Sequence, residues 1–238
     1  MDILSADARG VGAAMSETIH PGTYRDKHGE EPLQFRNDGS ELRTTIRGVD
    51  FAGSDFDMLE AVAGTPEHRL ASFSFNRGDL CECRFTVDIA LPVAMPAANG
   101  SQTTVIGTVQ ATIELGATSS DGRLDSQRLR LRLAFAGSDF VSAGTGDLFE
   151  LELLDLQRQL PDGVYLKACI NCLYSDYSHY GQASFGSMLC FRNIKDEYLR
   201  VTSKNEFWAV HGRHDRLVQE TYLCGQFARR RPGTGYRG

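Results

Sequence analysis

The sequence predicts a mainly β protein: an antiparallel β-sandwich over residues 21–160, then a small α+β, zinc-ribbon-like module over residues 161–238. Three observations carry this reading. Alternating apolar and polar runs recur from about Thr23 to Leu160, and turn residues divide them at short intervals. No long stretch at helical spacing interrupts those runs, which favours a sandwich or barrel over a βα architecture. After Pro161-Asp162-Gly163 the composition changes, with Cys, Tyr, Ser and Arg prominent and the single Trp at position 208.

Taken in order, residues 1–20 are small and polar without period and read as a disordered lead-in. Glu41 to Val49 alternates weakly; Leu70 to Phe75 and Cys81 to Leu91 alternate strongly, with Phe, Val and Ile on one face. Thr103 to Leu115 and Leu129 to Leu133 repeat the pattern. Between them stand Asn37-Asp38-Gly39, Asn76-Arg77-Gly78-Asp79, Asn99-Gly100 and Asp121-Gly122, residues that tolerate the left-handed backbone of tight turns. Phe149 to Leu160 satisfies alternation in its first half and helical spacing in its second, and is assigned here to a strand. The hexapeptide Phe-Ala-Gly-Ser-Asp-Phe occurs at 51–56 and again at 135–140. Each copy is expected to be a strand end with a Gly-Ser-Asp turn between two buried rings; duplication of a sheet unit and coincident turn chemistry both account for it.

The chain has 238 residues, 41% hydrophobic and 24% charged, values that exclude collagen-like, coiled-coil and wholly disordered classes. Its net charge of −6 averages two unlike parts. Residues 161–238 carry 11 Lys and Arg against 7 Asp and Glu, whereas residues 1–160 carry 14 against 24. The N-terminal stretch lacks a basic start followed by an apolar run, and no segment approaches the roughly 20 apolar residues of a membrane helix. A cytoplasmic protein without membrane contact is therefore expected. In a reducing compartment its six cysteines have to be explained by metal binding, catalysis or burial rather than by disulfides.

Four of them follow Pro161: Cys169-x2-Cys172, then Cys190, then Cys224. A C-x2-C pair turns two sulfurs onto one ion, and two further cysteines brought back by folding complete a tetrahedral thiolate cage. Structural zinc held by Cys169, Cys172, Cys190 and Cys224 is the expectation; an iron–sulfur cluster and ordinary buried thiols are the alternatives. His179, His211 and His214 are reserve ligands. A thioredoxin-like redox use of Cys169 and Cys172 needs a βαβ context that their Ser- and Tyr-rich surroundings lack. Cys81 and Cys83, two apart in a strand-like run, are expected to share a face as two core thiols.

The run from Cys169 to Gly181, the segments Phe185 to Arg192 and Gln219 to Cys224, and the ending Arg231 to Gly238 resemble an uncharacterised bacterial family known only as a domain of unknown function. Pro21 to Asp26 and Thr44 to Val49 resemble its N-terminal portion. The resemblance points to filamentous actinobacteria and implies no activity, only that the two parts travel together as one protein.

Other signals are weaker. His20 and His28, with Glu30 and Glu31, are residue types that bind metals, but their irregular spacing reads as a solvated turn before a strand. His211 and His214 fit one face of a surface helix. Gly233-x-Gly235-x-x-Gly238 matches a dinucleotide fingerprint by letter only, because no strand–turn–helix surrounds it, and reads as a flexible basic tail. No phosphate-binding Walker loop, H-E-x-x-H or G-x-S-x-G elbow is present. Arg192, Lys195, Arg200, Lys204, Arg213, Arg216 and Arg229 to Arg231 accompany Tyr174, Tyr177, Tyr180, Phe185, Phe191 and Trp208, a set that could neutralise phosphates and stack on bases. A charge of +4 is modest for such a module, so a protein partner, or docking on the acidic part of the same chain, ranks above nucleic acid. The expected function is that of a non-catalytic binding or accessory protein. The competing readings are the nucleic-acid binder and an enzyme with Ser175, Asp176, Tyr177, His179 and Arg192 at the junction of the two parts.

Overall fold

Two-residue periodicity becomes strand wherever turn residues bound it. The computed structural model describes residues 17–178, 185, 186, 188–234 and 236; His179, Tyr180 and residues 1–16 of the expected lead-in lie outside the described set. The chain opens with a hairpin of β1 (Thr18–Asp26) and β2 (Gly29–Asn37), paired from Thr18↔Asn37 to Asp26↔Gly29. A second hairpin, β3 (Leu42–Ile46) with β4 (Val49–Gly53), turns through Arg47 and Gly48, both at positive φ. β5 (Glu60–Ala61), a short helix α1 (Glu67–Leu70), β6 (Ser74–Asn76) and β7 (Asp79–Cys81) lead to the long partners β8 (Cys83–Pro96) and β9 (Gln102–Leu115). Then come β10 (Gln127–Phe135), β11 (Ser138–Val141) and helix α2 (Phe149–Gln159). The Cys-rich part holds β12 (Tyr165–Leu166), a 3-10 turn at Cys169–Asn171, β13 (Ser175–Tyr177), β14 (Met188–Cys190), helices α3 (Lys195–Tyr198) and α4 (Lys204–His211), and β15 (Arg216–Val218).

The first eleven strands form one antiparallel sheet in the order β11-β10-β9-β8-β1-β2-β3-β4-β5-β7-β6, and β12 adds to β8. The expected pair of stacked sheets is therefore replaced by a single sheet. The cause is β8, which bonds β9 along its whole length and also bonds β1 from Gly22↔Val87 to Arg25↔Arg84, joining what would have been two layers. This sheet has to curl. From β8 to β7 along the hydrogen-bonded order is six strand spacings, about 29 Å if flat. Yet only Glu82 separates Cys81 of β7 from Cys83 of β8, a span of at most about 7 Å. The concave side is filled with rings: Phe35 lies 5.1 Å from Phe56 and 5.7 Å from Phe85, and Phe51 lies 5.1 Å from Phe73.

Phe149 to Gln159 is helix, not strand. Phe149, Leu153 and Leu156 are buried at helical spacing, so the helix covers part of the sheet's core face. The misleading alternation came from Glu152. That carboxylate is buried with the apolar residues because it accepts the backbone N–H groups of Gly144 and Gly146. The two hexapeptides also part company. At 51–56 the backbone runs out of β4 with Gly53 at ordinary φ, and a Cβ there would collide with the Met58 carbonyl oxygen. At 135–140 the chain reverses at once through Ala136 and Gly137, both at positive φ, so that Phe135 pairs with Ser138. Identical residues thus make two different turns, with Asp55 fully buried and Asp139 exposed and paired to Arg132.

The main core does not stop at Pro161. Cys169, Ile170, Tyr177, Phe185, Met188, Cys190 and Val218 belong to the same buried cluster as Phe35, Phe85 and Leu131. A second, smaller cluster joins Leu189, Phe191, Tyr198, Val201, Phe207 and Val210, with Phe191 stacked on Tyr198 at 4.6 Å. The C-terminal residues pack back on this part: Ala228 O accepts from Leu173 N, Arg230 N donates to Asn171 O, and, from the expected tail, the Tyr236 ring stacks on Phe207.

Candidate functional site

The four cysteines of the C-terminal part come from three stretches of chain that backbone hydrogen bonds bring side by side. Cys169 opens the 3-10 turn, and the Cys172 N–H closes it on Cys169 O at 3.0 Å. Cys169 N donates to Tyr222 O and Ile170 N to Glu220 O, which ties the turn to the segment leading to Cys224. Cys190 ends the central strand of the three-stranded sheet β13-β14-β15, opposite Ser175 and Arg216, and its carbonyl accepts Asp215 N.

The thiols sense one another. Burial pushes Cys169 well above the usual thiol range, and the neighbouring Cys172, Cys190 and Cys224 push in the same direction. Burial also raises Cys172, while the N–H groups of Tyr174 and Ala228 and the nearby Arg230 act against it. Cys190 is raised by burial against the opposing N–H and guanidinium of Arg192. Two of the four sulfurs thus face the N–H group two residues ahead, a donor that favours a thiolate. Among the described residues, no group of three or more His, Cys, Asp or Glu side chains stands in an arrangement that holds a metal ion. The four thiols therefore share an electrostatic neighbourhood without the geometry of a formed coordination shell.

Of the reserve ligands, His179 lies outside the described residues, and His211 and His214 have other neighbours. His211 is the last residue of α4 and its Nε2 lies 3.3 Å from Ser178 Oγ. His214 lies beyond the Gly212 cap rather than on the helix, with its Nδ1 2.8 Å from His211 O; the shared helical face is not formed because the helix ends first. Cys81 and Cys83 are both buried, but on two strands, since Glu82 between them has φ of 50°. His20 and His28 are not neighbours in a turn. His20 is buried in β1 beside Asn37, and His28 is at the exposed hairpin tip about 26 Å along the strand.

At the junction, Ser175, Asp176 and Tyr177 are buried and already engaged. Ser175 Oγ donates to Cys169 O, Asp176 accepts the Tyr198 hydroxyl at 2.8 Å, and the Tyr177 hydroxyl donates to Glu220 at 3.1 Å. Arg192 is held by Asp215 at 2.7 Å. Of the rings read as base-stacking, Tyr177, Phe185 and Phe191 are buried, while Trp208 is exposed. Arg213 pairs with Glu197 and Arg216 with Asp215; Arg229 lies 4.2 Å over the Tyr165 ring and Lys195 4.9 Å over Tyr174.

Two polar groups without a sequence signal tie the parts together. Asp55 accepts Phe185 N at 2.6 Å and Phe56 N at 2.7 Å; burial, and after it Asp57, pushes its carboxyl well above the usual range. Asn37 of β2 reaches across to Gln219, whose Oε1 accepts its amide at 2.6 Å. No helix among the described residues is long and apolar enough to cross a membrane. In comparisons with known proteins, the chain matches the model of a family of unknown function (DUF6304) over residues 18–175, a span that includes the first cysteine pair and ends before Cys190 and Cys224. No curated protein and no solved structure matches.

Proposed function

Since the chain belongs to the family of unknown function DUF6304, which assigns it no activity, we propose from the geometry that it is a non-catalytic binding or accessory protein braced by a structural zinc ion on Cys169, Cys172, Cys190 and Cys224. The observation that carries this reading is the convergence of four thiols, three of them buried, from three stretches of chain. Four thiolates around Zn²⁺ leave a net charge of −2, which burial makes costly unless donors offset it. Arg192 beside Cys190, Arg230 beside Cys172, and the N–H groups of Tyr174, Ala228 and Arg192 supply that offset. Short elements support a need for such a brace: β13, β14 and β15 have 3 residues each and α3 has 4.

A four-thiolate shell is closed, with no position for water or substrate, so the ion's role is structural. The buried hydrogen bonds of Ser175, Asp176 and Tyr177 fit braces better than catalytic groups. Internal pairing of Arg192, Arg213 and Arg216 with acidic side chains favours a protein partner over a polyanion. Six unpaired thiols suit a reducing, cytoplasmic setting. Elemental analysis of the full chain, purified without added metal, is expected to find about one zinc per chain, lost in Cys190→Ser and in Cys224→Ser. Folded protein free of metal would reject the brace; zinc that survives both substitutions would reject the ligand set.

A further inference from the structure

A cavity of about 200 Å³ lies where β1, β2 and β8 meet the segment running from Gln219 to Leu223. It is larger than the roughly 150 Å³ that admits a benzene ring in an apolar interior. Among its polar lining residues, His20, Asn37 and Gln219 are each no more than 6% exposed. Their hydrogen-bond directions can be worked out from one backbone group. Gly39 N–H donates to Asn37 Oδ1 at 2.8 Å, which fixes the orientation of the Asn37 amide. Its Nδ2 then has two hydrogens and two acceptors, Gln219 Oε1 at 2.6 Å and His20 Nε2 at 2.9 Å. Gln219 must therefore turn its own NH₂ the other way, and that Nε2 is buried with no partner. His20, accepting at Nε2, carries its proton on Nδ1. Burial also lowers the His20 pKa and keeps the ring neutral.

The polar lining thus ends in an unmatched neutral N–H donor on Gln219 Nε2, and leaving a buried donor without an acceptor is unfavourable. Ile89, Pro92 and Leu223 supply an apolar side, no Lys or Arg lines the cavity, and the Asp38 carboxylate stands at it. A donor without a cation, beside a fixed negative charge, disfavours an anion. A cation would leave that N–H donor unpaired.

We infer that this cavity binds a small uncharged molecule bearing a carbonyl or amide oxygen, which accepts from Gln219 Nε2 while its apolar body rests on Ile89 and Pro92. The inference is independent of the zinc reading, because none of these groups is a thiol.

The test is a ¹H–¹⁵N NMR titration of the full chain with 2-pyrrolidinone, acetate and pyrrolidinium. The expected result is saturable movement of the Gln219 side-chain amide with 2-pyrrolidinone, and binding at least about tenfold weaker for the two ions. Gln219→Glu keeps the acceptor for Asn37 but removes the donor, and should weaken 2-pyrrolidinone by at least about tenfold. Ala90→Leu, at an exposed lining position, should block the cavity independently. Failure of all three probes to saturate would identify a water-filled cavity and overturn the inference. So would preference for acetate, or unchanged 2-pyrrolidinone binding in Gln219→Glu and Ala90→Leu.

Discussion

Replacing Arg47 by Met removes a two-point ion pair of the sheet and has a pH signature that a packing defect lacks. Arg47 donates to both oxygens of Asp26 at 2.7 Å, lies 3.2 Å from Glu31, and sits 5.5 Å over the Tyr24 ring and 5.6 Å over Phe73. The Asp26 side chain is only 6% exposed. Burial alone would raise its pKa; the guanidinium, the His28 N–H and the Tyr24 hydroxyl outweigh it and bring the pKa down from 3.8 to about 2. At about 1.4 kcal/mol per pH unit, that difference stabilises the fold by roughly 2 kcal/mol at neutral pH. Loss of the ring contacts adds about 0.5–1 kcal/mol. The folded pKa lies below the unfolded one, so this contribution is complete above about pH 5 and disappears as pH falls toward 2. Urea unfolding at pH 7 should therefore show Arg47→Met destabilised by about 2–3 kcal/mol, with the gap shrinking steadily between about pH 5 and pH 3. A double-mutant cycle with Asp26→Asn should return a coupling of at least about 1 kcal/mol. A gap below about 0.5 kcal/mol at pH 7, or one that does not change with pH, would refute the reasoning.

The two hexapeptides predict opposite tolerance. Gly53→Ala drives a Cβ onto the Met58 carbonyl, whose carbon would be 2.8 Å away, and should cost more than about 3 kcal/mol in urea unfolding. Gly137→Ala meets nothing within 4 Å and should cost only the roughly 1 kcal/mol of its φ of 78°. Asp55 has the reverse pH sign to Asp26: its folded pKa lies above the unfolded one, so wild-type stability should fall as pH rises through and beyond the carboxylate range. Asp55→Asn should flatten that slope, read from unfolding free energies at about pH 5 and pH 8. Leu153→Ala, emptying a fully buried position of α2, should cost about 2–5 kcal/mol and shift the urea midpoint accordingly.

Strands were legible wherever burial and exposure alternate without exception, as from Leu129 to Phe135. The α2 helix was not, because Glu152 is buried by loop N–H groups that no local pattern announces. Nor was the single curled sheet: it rests on pairs such as Tyr24↔Phe85, and strand periodicity says which face a residue takes but not which distant strand it joins. The cysteine spacing singled out four thiols, and in the structure the other three act on Cys169. The cavity gave no such signal. His20 looked solvated beside its charged neighbours, and Asn37 meets Gln219 across 182 positions of chain.

The central claim concerns the four thiols, and substitution with Co²⁺ tests it most directly. Full chain refolded with Co²⁺ under reducing conditions should take up one ion per chain, with an intense thiolate-to-cobalt charge-transfer band and the strong visible bands of tetrahedral cobalt. Zn²⁺ should displace the ion and erase both features, and Cys224→Ser should weaken the charge-transfer band. A spectrum of weak octahedral bands without charge transfer, from protein that is folded and reduced, would contradict the account.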